Sequence, residues 1–114
     1  MRRIISILLE NEFGSLSRVV GLFSQRGYNI DTLTVAPTDD ETLSRITLTT
    51  EGYYKMVEQI VKQIYKLIDT FKVTDLTDGS HIERELMLVK IKSKDLSERA
   101  EIKSCVDVFR GSIV

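Results

Sequence analysis

A chain of 114 residues, 42% of them hydrophobic, suits one ordinary domain and can bury a core, which excludes global disorder. Its 16 Lys and Arg against 17 Asp and Glu leave a formal charge of -1, so it offers no bulk attraction for nucleic acid or an anionic membrane. No apolar run approaches the roughly 18 residues of a membrane span, and the single cysteine, Cys105, can supply neither an internal disulfide nor a Cys-x-x-Cys metal pair. These features suit a reduced, cytoplasmic compartment.

Ile4, Ile5, Ile7, Leu8 and Leu9 are apolar at both alternating positions, the pattern of a central strand covered on both faces and ending near Glu10. Leu16, Val19, Val20 and Phe23 follow at helical spacing, with Gly14 or Ser15 placed to begin the helix and Gly27 to end it. Leu33 and Val35 alternate with Thr32 and Thr34, and Ile46 and Leu48 with Thr47 and Thr49. This predicts a hairpin around the polar run Pro37-Thr38-Asp39-Asp40-Glu41. Met56, Val57, Ile60, Val61, Ile64, Leu67 and Ile68 predict a long amphipathic helix, and Phe71, Val73 and Leu76 a weaker fourth strand.

The order β-α-β-β-α-β over residues 3–78 is an α+β arrangement, the ferredoxin-like split βαβ unit. Right-handed crossovers place both helices on one face of an antiparallel sheet of order 4-1-3-2. The second strand, near residues 30–36, is then left on an open edge. Residues 1–78 are expected to form this domain, with "TDGSHIER" (77–84) reading as a linker. Beyond it, Leu86–Ile91 reads as a two-sided apolar strand, Ile102, Cys105, Val106 and Phe109 as a helical stripe, and Gly111-Ser112-Ile113-Val114 as a strand stub. Such a set cannot make a core of its own, so residues 79–114 are expected to be a linker plus the incomplete start of a second domain.

Catalytic chemistry finds little support. His81, the only histidine, lies in the linker with no second ligand nearby and reads as solvated, while Cys105 falls on an apolar stripe without a histidine partner and reads as a core thiol. Asp39, Asp40 and Glu41 lack the spaced ligands of a calcium loop and read as a solvated turn. Gly21 and Gly27 make no G-x-G-x-x-G fingerprint, and the Walker lysine motif is missing. RNA binding on such a sheet needs exposed aromatics on the central strands, and Ile4 to Leu9 has none.

The segment Asn11-Glu12-Phe13-Gly14-Ser15 remains. Asn11 can form an Asx-turn, Gly14 can adopt positive φ, and the amides of Gly14, Ser15 and Leu16 would be free donors at a helix N-terminus. With the helix dipole they would suit a carboxylate. A plain helix start would account for the same residues.

The run "LLENEFGSLSRVVGLFSQRGYNIDTLTV", the "LSRIT" after the acidic turn, "HIERELMLVKI" and the final "FRG" together closely resemble the N-terminal ACT domain and following segment of the small regulatory subunit of acetohydroxyacid synthase, also called acetolactate synthase. The resemblance implies a non-catalytic subunit that binds valine, activates the catalytic subunit and confers feedback inhibition in branched-chain amino-acid synthesis. Thiamine diphosphate, magnesium and FAD would belong to the catalytic subunit, none of them to this chain. The amino acid would sit at a homodimer interface formed by the edge strand near residues 30–36. It would be contacted by Asn11, Gly14, Ser15 and Leu16 of one chain and by Asn29 and Ile30 of the other.

Two departures stand out. Phe13 is bulkier than the small residue or proline expected before the loop glycine, so loop shape or pocket depth would differ. Family members also usually continue further, completing a second ferredoxin-like domain. Other readings of the same residues are a stand-alone amino-acid-sensing ACT module acting on another partner and a purely structural dimerisation domain.

Overall fold

The computed structural model describes residues 1–114, which form two compact units, Met1–Ile82 and Glu83–Val114. In the first, β1 (Arg2–Glu10), α1 (Ser15–Gln25), β2 (Thr32–Pro37), β3 (Leu43–Glu51), α2 (Tyr54–Ile64) and β4 (Thr70–Asp75) follow in the expected order. The sheet order is β2-β3-β1-β4 with every neighbouring pair antiparallel, the 4-1-3-2 arrangement read from the other edge. No helix is long and apolar enough to cross a membrane.

Register explains the core. Ile7 lies opposite both Ile46 and Val73, and Ile5 opposite Leu48. Because side chains alternate across a strand, these residues and Leu9 share one face. Val19 and Phe23 of α1 and Val57, Ile60 and Ile64 of α2 are buried against that face, so both helices cover the same side of the sheet. Phe23 also meets Tyr28 edge to face, with ring centroids 6.1 Å apart.

Two details depart from the sequence pattern. The apolar spacing of α2 runs to Ile68, yet the helix stops at Ile64. The amide of Leu67 bonds the carbonyl of Ile64 at 3.0 Å, and Thr70 Oγ1 donates to the same carbonyl at 2.8 Å, which closes the helix end. Ile68 is thereby turned out, 90% exposed. Phe71 is also exposed, because the register between β1 and β4 shifts at Leu8/Leu9 and skips it as a bulge. In the second unit, α3 (Leu96–Val108) is capped by Asp95, whose side chain accepts from the Glu98 amide at 2.8 Å.

The expected strand at Leu86–Ile91 and the stub at 111–114 form no ladder, since a strand needs a neighbour and no other strand lies in this unit. No residue of α3 is fully buried, and Cys105 is exposed rather than a core thiol.

The two sheet edges are unlike. On β4, the outward amide and carbonyl of Val73 are both taken by the Tyr65 hydroxyl, which accepts at 3.0 Å and donates at 3.3 Å. That plug blunts the edge. On the other side every residue of β2 is exposed, and Leu33 and Val35, which lie opposite Leu48 and Ile46 on the helix-covered face, are each about two-fifths exposed.

Candidate functional site

The loop after β1 is held at its start by the rest of the domain. The Glu10 amide donates to the Asp69 carbonyl and the Asn11 amide to the Thr42 carbonyl, each at 2.8 Å. The carboxamide of Asn11 is engaged too: Nδ2 donates to the Glu41 carbonyl at 3.1 Å and Oδ1 accepts from Ser44 Oγ at 2.9 Å. Asn11 therefore staples the end of β1 to the β2–β3 turn. In that turn, Asp40 accepts from the Thr42 hydroxyl at 2.7 Å and the Thr42 amide at 3.0 Å. These bonds, the hydroxyl one first, hold its carboxyl below the usual carboxylate range.

Gly14 is the residue before α1 and has φ +81°, a left-handed conformation that a side chain resists. No side chain caps the helix. Ser15 N–H is satisfied by the Glu12 carbonyl at 3.3 Å, so it is not the free donor that the sequence suggested; the amides of Gly14 and Leu16, and also of Ser17, have no acceptor. Ser15 itself is buried, and its Oγ is one of two buried side-chain polar atoms without a partner, Arg3 Nε being the other. Phe13 is wholly exposed, so its bulk does not fill the loop.

Sequence reasoning missed Arg18 and Asp69. The Arg18 guanidinium donates through Nε to Asp69 Oδ2 at 2.5 Å and through Nη2 to the Phe13 carbonyl at 3.3 Å. The hydrogen bond to Asp69, opposed by desolvation and aided by the charges of Asp69 and Glu12, raises the Arg18 pKa. A signal was present: a cation in the first turn of a helix opposes the dipole and calls for a partner. An open groove of about 430 Å³ begins at the same loop, lined by Gly14, Ser17, Arg18, Gly21, Leu22 and Leu67 among others.

Asn29 and Ile30 lie elsewhere. Gly27, at φ +69°, ends the turn after α1. The Asn29 carbonyl accepts from Thr50 Oγ1 at 2.5 Å, Asn29 Nδ2 donates to Asp31 Oδ1 at 2.5 Å, and Ile30 packs partly against the core. Thr50 lies opposite Arg3 at the start of β1, whereas the Asn11 loop leaves its end at Glu10, opposite Leu43. Seven residues of strand separate the two rims, about 23 Å at 3.3 Å per residue. One copy thus gathers Asn11, Gly14, Ser15 and Leu16 but leaves Asn29 and Ile30 at the far rim. His81, read as solvated, is half-buried with Nδ1 2.7 Å from the Gly79 carbonyl.

The β2-β3-β1-β4 antiparallel sheet with both helices on one face is the ferredoxin-like fold of an ACT domain. Residues 5–72 match the family model described as the AHAS small subunit-like ACT domain, and residues 84–114 match that of the small subunit of acetolactate synthase. The chain belongs to the acetolactate synthase small-subunit family.

It is 60% identical over all 114 residues to the acetolactate synthase isozyme 3 small subunits of Salmonella typhimurium and Escherichia coli, covering 69% of each. The crystal structure of the acetolactate synthase small subunit from Thermotoga maritima superposes with a TM-score of 0.81 at 28% identity, over 100% of this chain and 71% of that one. The ACT domain of the GTP pyrophosphokinase of Chlorobium tepidum, at TM-score 0.61 and 17% identity over 75% of this chain and 97% of its own, shares the fold. Membership in a small-subunit family implies a regulatory role beside a catalytic subunit.

Proposed function

We propose that this chain is the non-catalytic regulatory subunit of a thiamine-diphosphate-dependent acetolactate synthase, and that it binds valine between two ACT domains. It activates the catalytic subunit and, through that site, makes it sensitive to feedback inhibition in branched-chain amino-acid synthesis. The observation that carries this reading is the first turn of α1, where the amides of Gly14, Leu16 and Ser17 and the buried Ser15 hydroxyl all lack partners. An unpaired buried polar group costs ~1–3 kcal/mol, and aligned amides at a helix N-terminus attract a carboxylate. Leu16, 38% exposed, would form an apolar wall for the branched side chain.

The second copy enters through geometry. A rim separation of about 23 Å exceeds the span of an amino acid, so Asn29 and Ile30 can meet the loop only from another chain. Pairing two β2 edges antiparallel about a two-fold axis makes one eight-stranded sheet and brings Asn29 of the partner copy to the rim that carries Asn11 and Gly14. The unplugged β2 edge and the half-exposed Leu33 and Val35 support pairing there rather than at β4. Residues 79–114 belong in this reading to the start of a second ferredoxin-like domain, where exposed Leu86, Met87 and Leu88 would gain neighbours. The cytoplasm, where this biosynthesis would run, is the compartment.

Coupling between valine and the catalytic subunit must be reciprocal: an inhibitory ligand binds more tightly to the less active complex. The test is capture and activation of an acetolactate synthase catalytic subunit by this chain, with and without valine. Activation that valine reverses is expected. Amino-acid binding without capture would point to a sensor acting on another partner, and dimerisation without amino-acid binding to a structural module; either would overturn the proposal.

A further inference from the structure

Asp69, in the turn between α2 and β4, touches both flanks of the loop. Its backbone carbonyl accepts from the Glu10 amide where β1 ends, and its carboxylate accepts from Arg18 Nε in the first turn of α1. Arg18 then reaches back to the Phe13 carbonyl, and its Nη1 lies 2.9 Å from where a Cβ on Gly14 would stand. Between these two anchors runs the segment Asn11–Ser17, which carries the unpartnered donors. The carboxylate is only 9% exposed while Arg18 is 44% exposed, so the anchor belongs to the body of the domain and the guanidinium is the arm that extends from it.

We infer that Arg18, held by Asp69, is the positioning residue of the amino-acid loop: one planar fork fixes the Phe13 carbonyl, and with it the orientation of the Gly14 and Leu16 amides. The inference rests on the amino-acid site proposed above. A guanidinium is suited to this because it engages two acceptors at a set angle, whereas an ammonium is a point charge on a flexible stem. Arg18→Lys should therefore keep the ion pair with Asp69 and lose the grip on Phe13. Arg18→Met removes both and leaves the Asp69 carboxylate without its cation.

The experiment uses the full chain and two readouts: valine affinity by calorimetry, and backbone order parameters of Glu12 to Ser17 by NMR. Wild-type loop amides are expected near the rigid value of about 0.85, falling toward 0.6 in Arg18→Met. Arg18→Lys should retain the wild-type unfolding midpoint and dimeric state while its valine Kd rises about tenfold, the scale of one charge-assisted hydrogen bond. A merely structural ion pair predicts that lysine restores affinity along with stability; wild-type affinity in Arg18→Lys, or an ordered loop in Arg18→Met, overturns the inference. If the wild-type chain binds no valine, the proposed ligand falls, and the order parameters alone decide whether Arg18 positions the loop.

Discussion

Replacing Gly14 by aspartate gives the sharpest test of the loop. At φ +81° any side chain is strained, at a cost of ~1–2 kcal/mol. The new Cβ would stand 2.9 Å from Arg18 Nη1, the movable end of a long side chain, so the guanidinium can shift and then pair with the new carboxylate. That pairing and the helix dipole offset part of this cost, which leaves the domain folded. Ligand binding suffers more. Two carboxylates about 4 Å apart repel by ~1 kcal/mol in water and ~4 kcal/mol near a protein surface, and with Arg18 partly neutralising the new one the loss is about tenfold to a hundredfold in Kd. Gly14→Ala carries the strain without the charge and should lose affinity much less. Calorimetry with valine, beside thermal unfolding and sedimentation, separates these effects; undiminished valine affinity in a folded, dimeric Gly14→Asp would refute the assignment of the loop amides to the carboxylate.

Val35→Lys places a charge on the half-exposed core-side row of β2, where its stem can reach solvent in a monomer but not across a paired edge. Sedimentation should show monomers with valine binding lost; monomers that bind valine normally would remove the two-chain site. Phe23→Ala empties a position that is 1% exposed, so urea denaturation should register ~3–5 kcal/mol of lost stability. Asp40, held below its ordinary value of 3.8 by Thr42, stabilises the β2–β3 turn fully above that value and loses the contribution as pH falls through its lowered one. In an NMR titration, Thr42→Val should move its midpoint back up toward 3.8.

The framework was legible because its signals are local periodicities. Ile5, Ile7 and Leu9 against Ile46 and Leu48 alternate as strands must, and the glycines at 14 and 27 stand where φ turns positive. What failed depends on chain reversals that periodicity cannot see. Leu67 and Ile68 continue the helical spacing past the point where Thr70 closes α2. Phe71 has strand character yet falls at a register shift set by the whole β1–β4 pair. Asn11 was legible as a loop residue, but its carboxamide serves Glu41 and Ser44, contacts 30 and 33 positions away that no local pattern encodes. The Arg18–Asp69 pair spans 51 positions: a cation in the first turn of α1 signals that a partner is needed, but nothing local names Asp69.

On the proposed reading, the unequal chemistry of the two rims explains why a zwitterion fits between copies. The Asn11 rim is rich in donors: the amides of Gly14, Leu16 and Ser17 are free, while Asn11 Oδ1 already accepts from Ser44. Such a set of free amides reads a carboxylate. At the Asn29 rim the balance is opposite, because Asn29 Nδ2 donates to Asp31, leaving the Asn29 Oδ1 and the second Asp31 carboxylate oxygen as acceptors. Antiparallel pairing of β2 edges sets a donor rim against an acceptor rim twice, by symmetry, and each pairing completes a site for one amino acid. Valine affinity should then fall on dilution into the monomeric range, since the ligand stabilises only the species in which both rims meet.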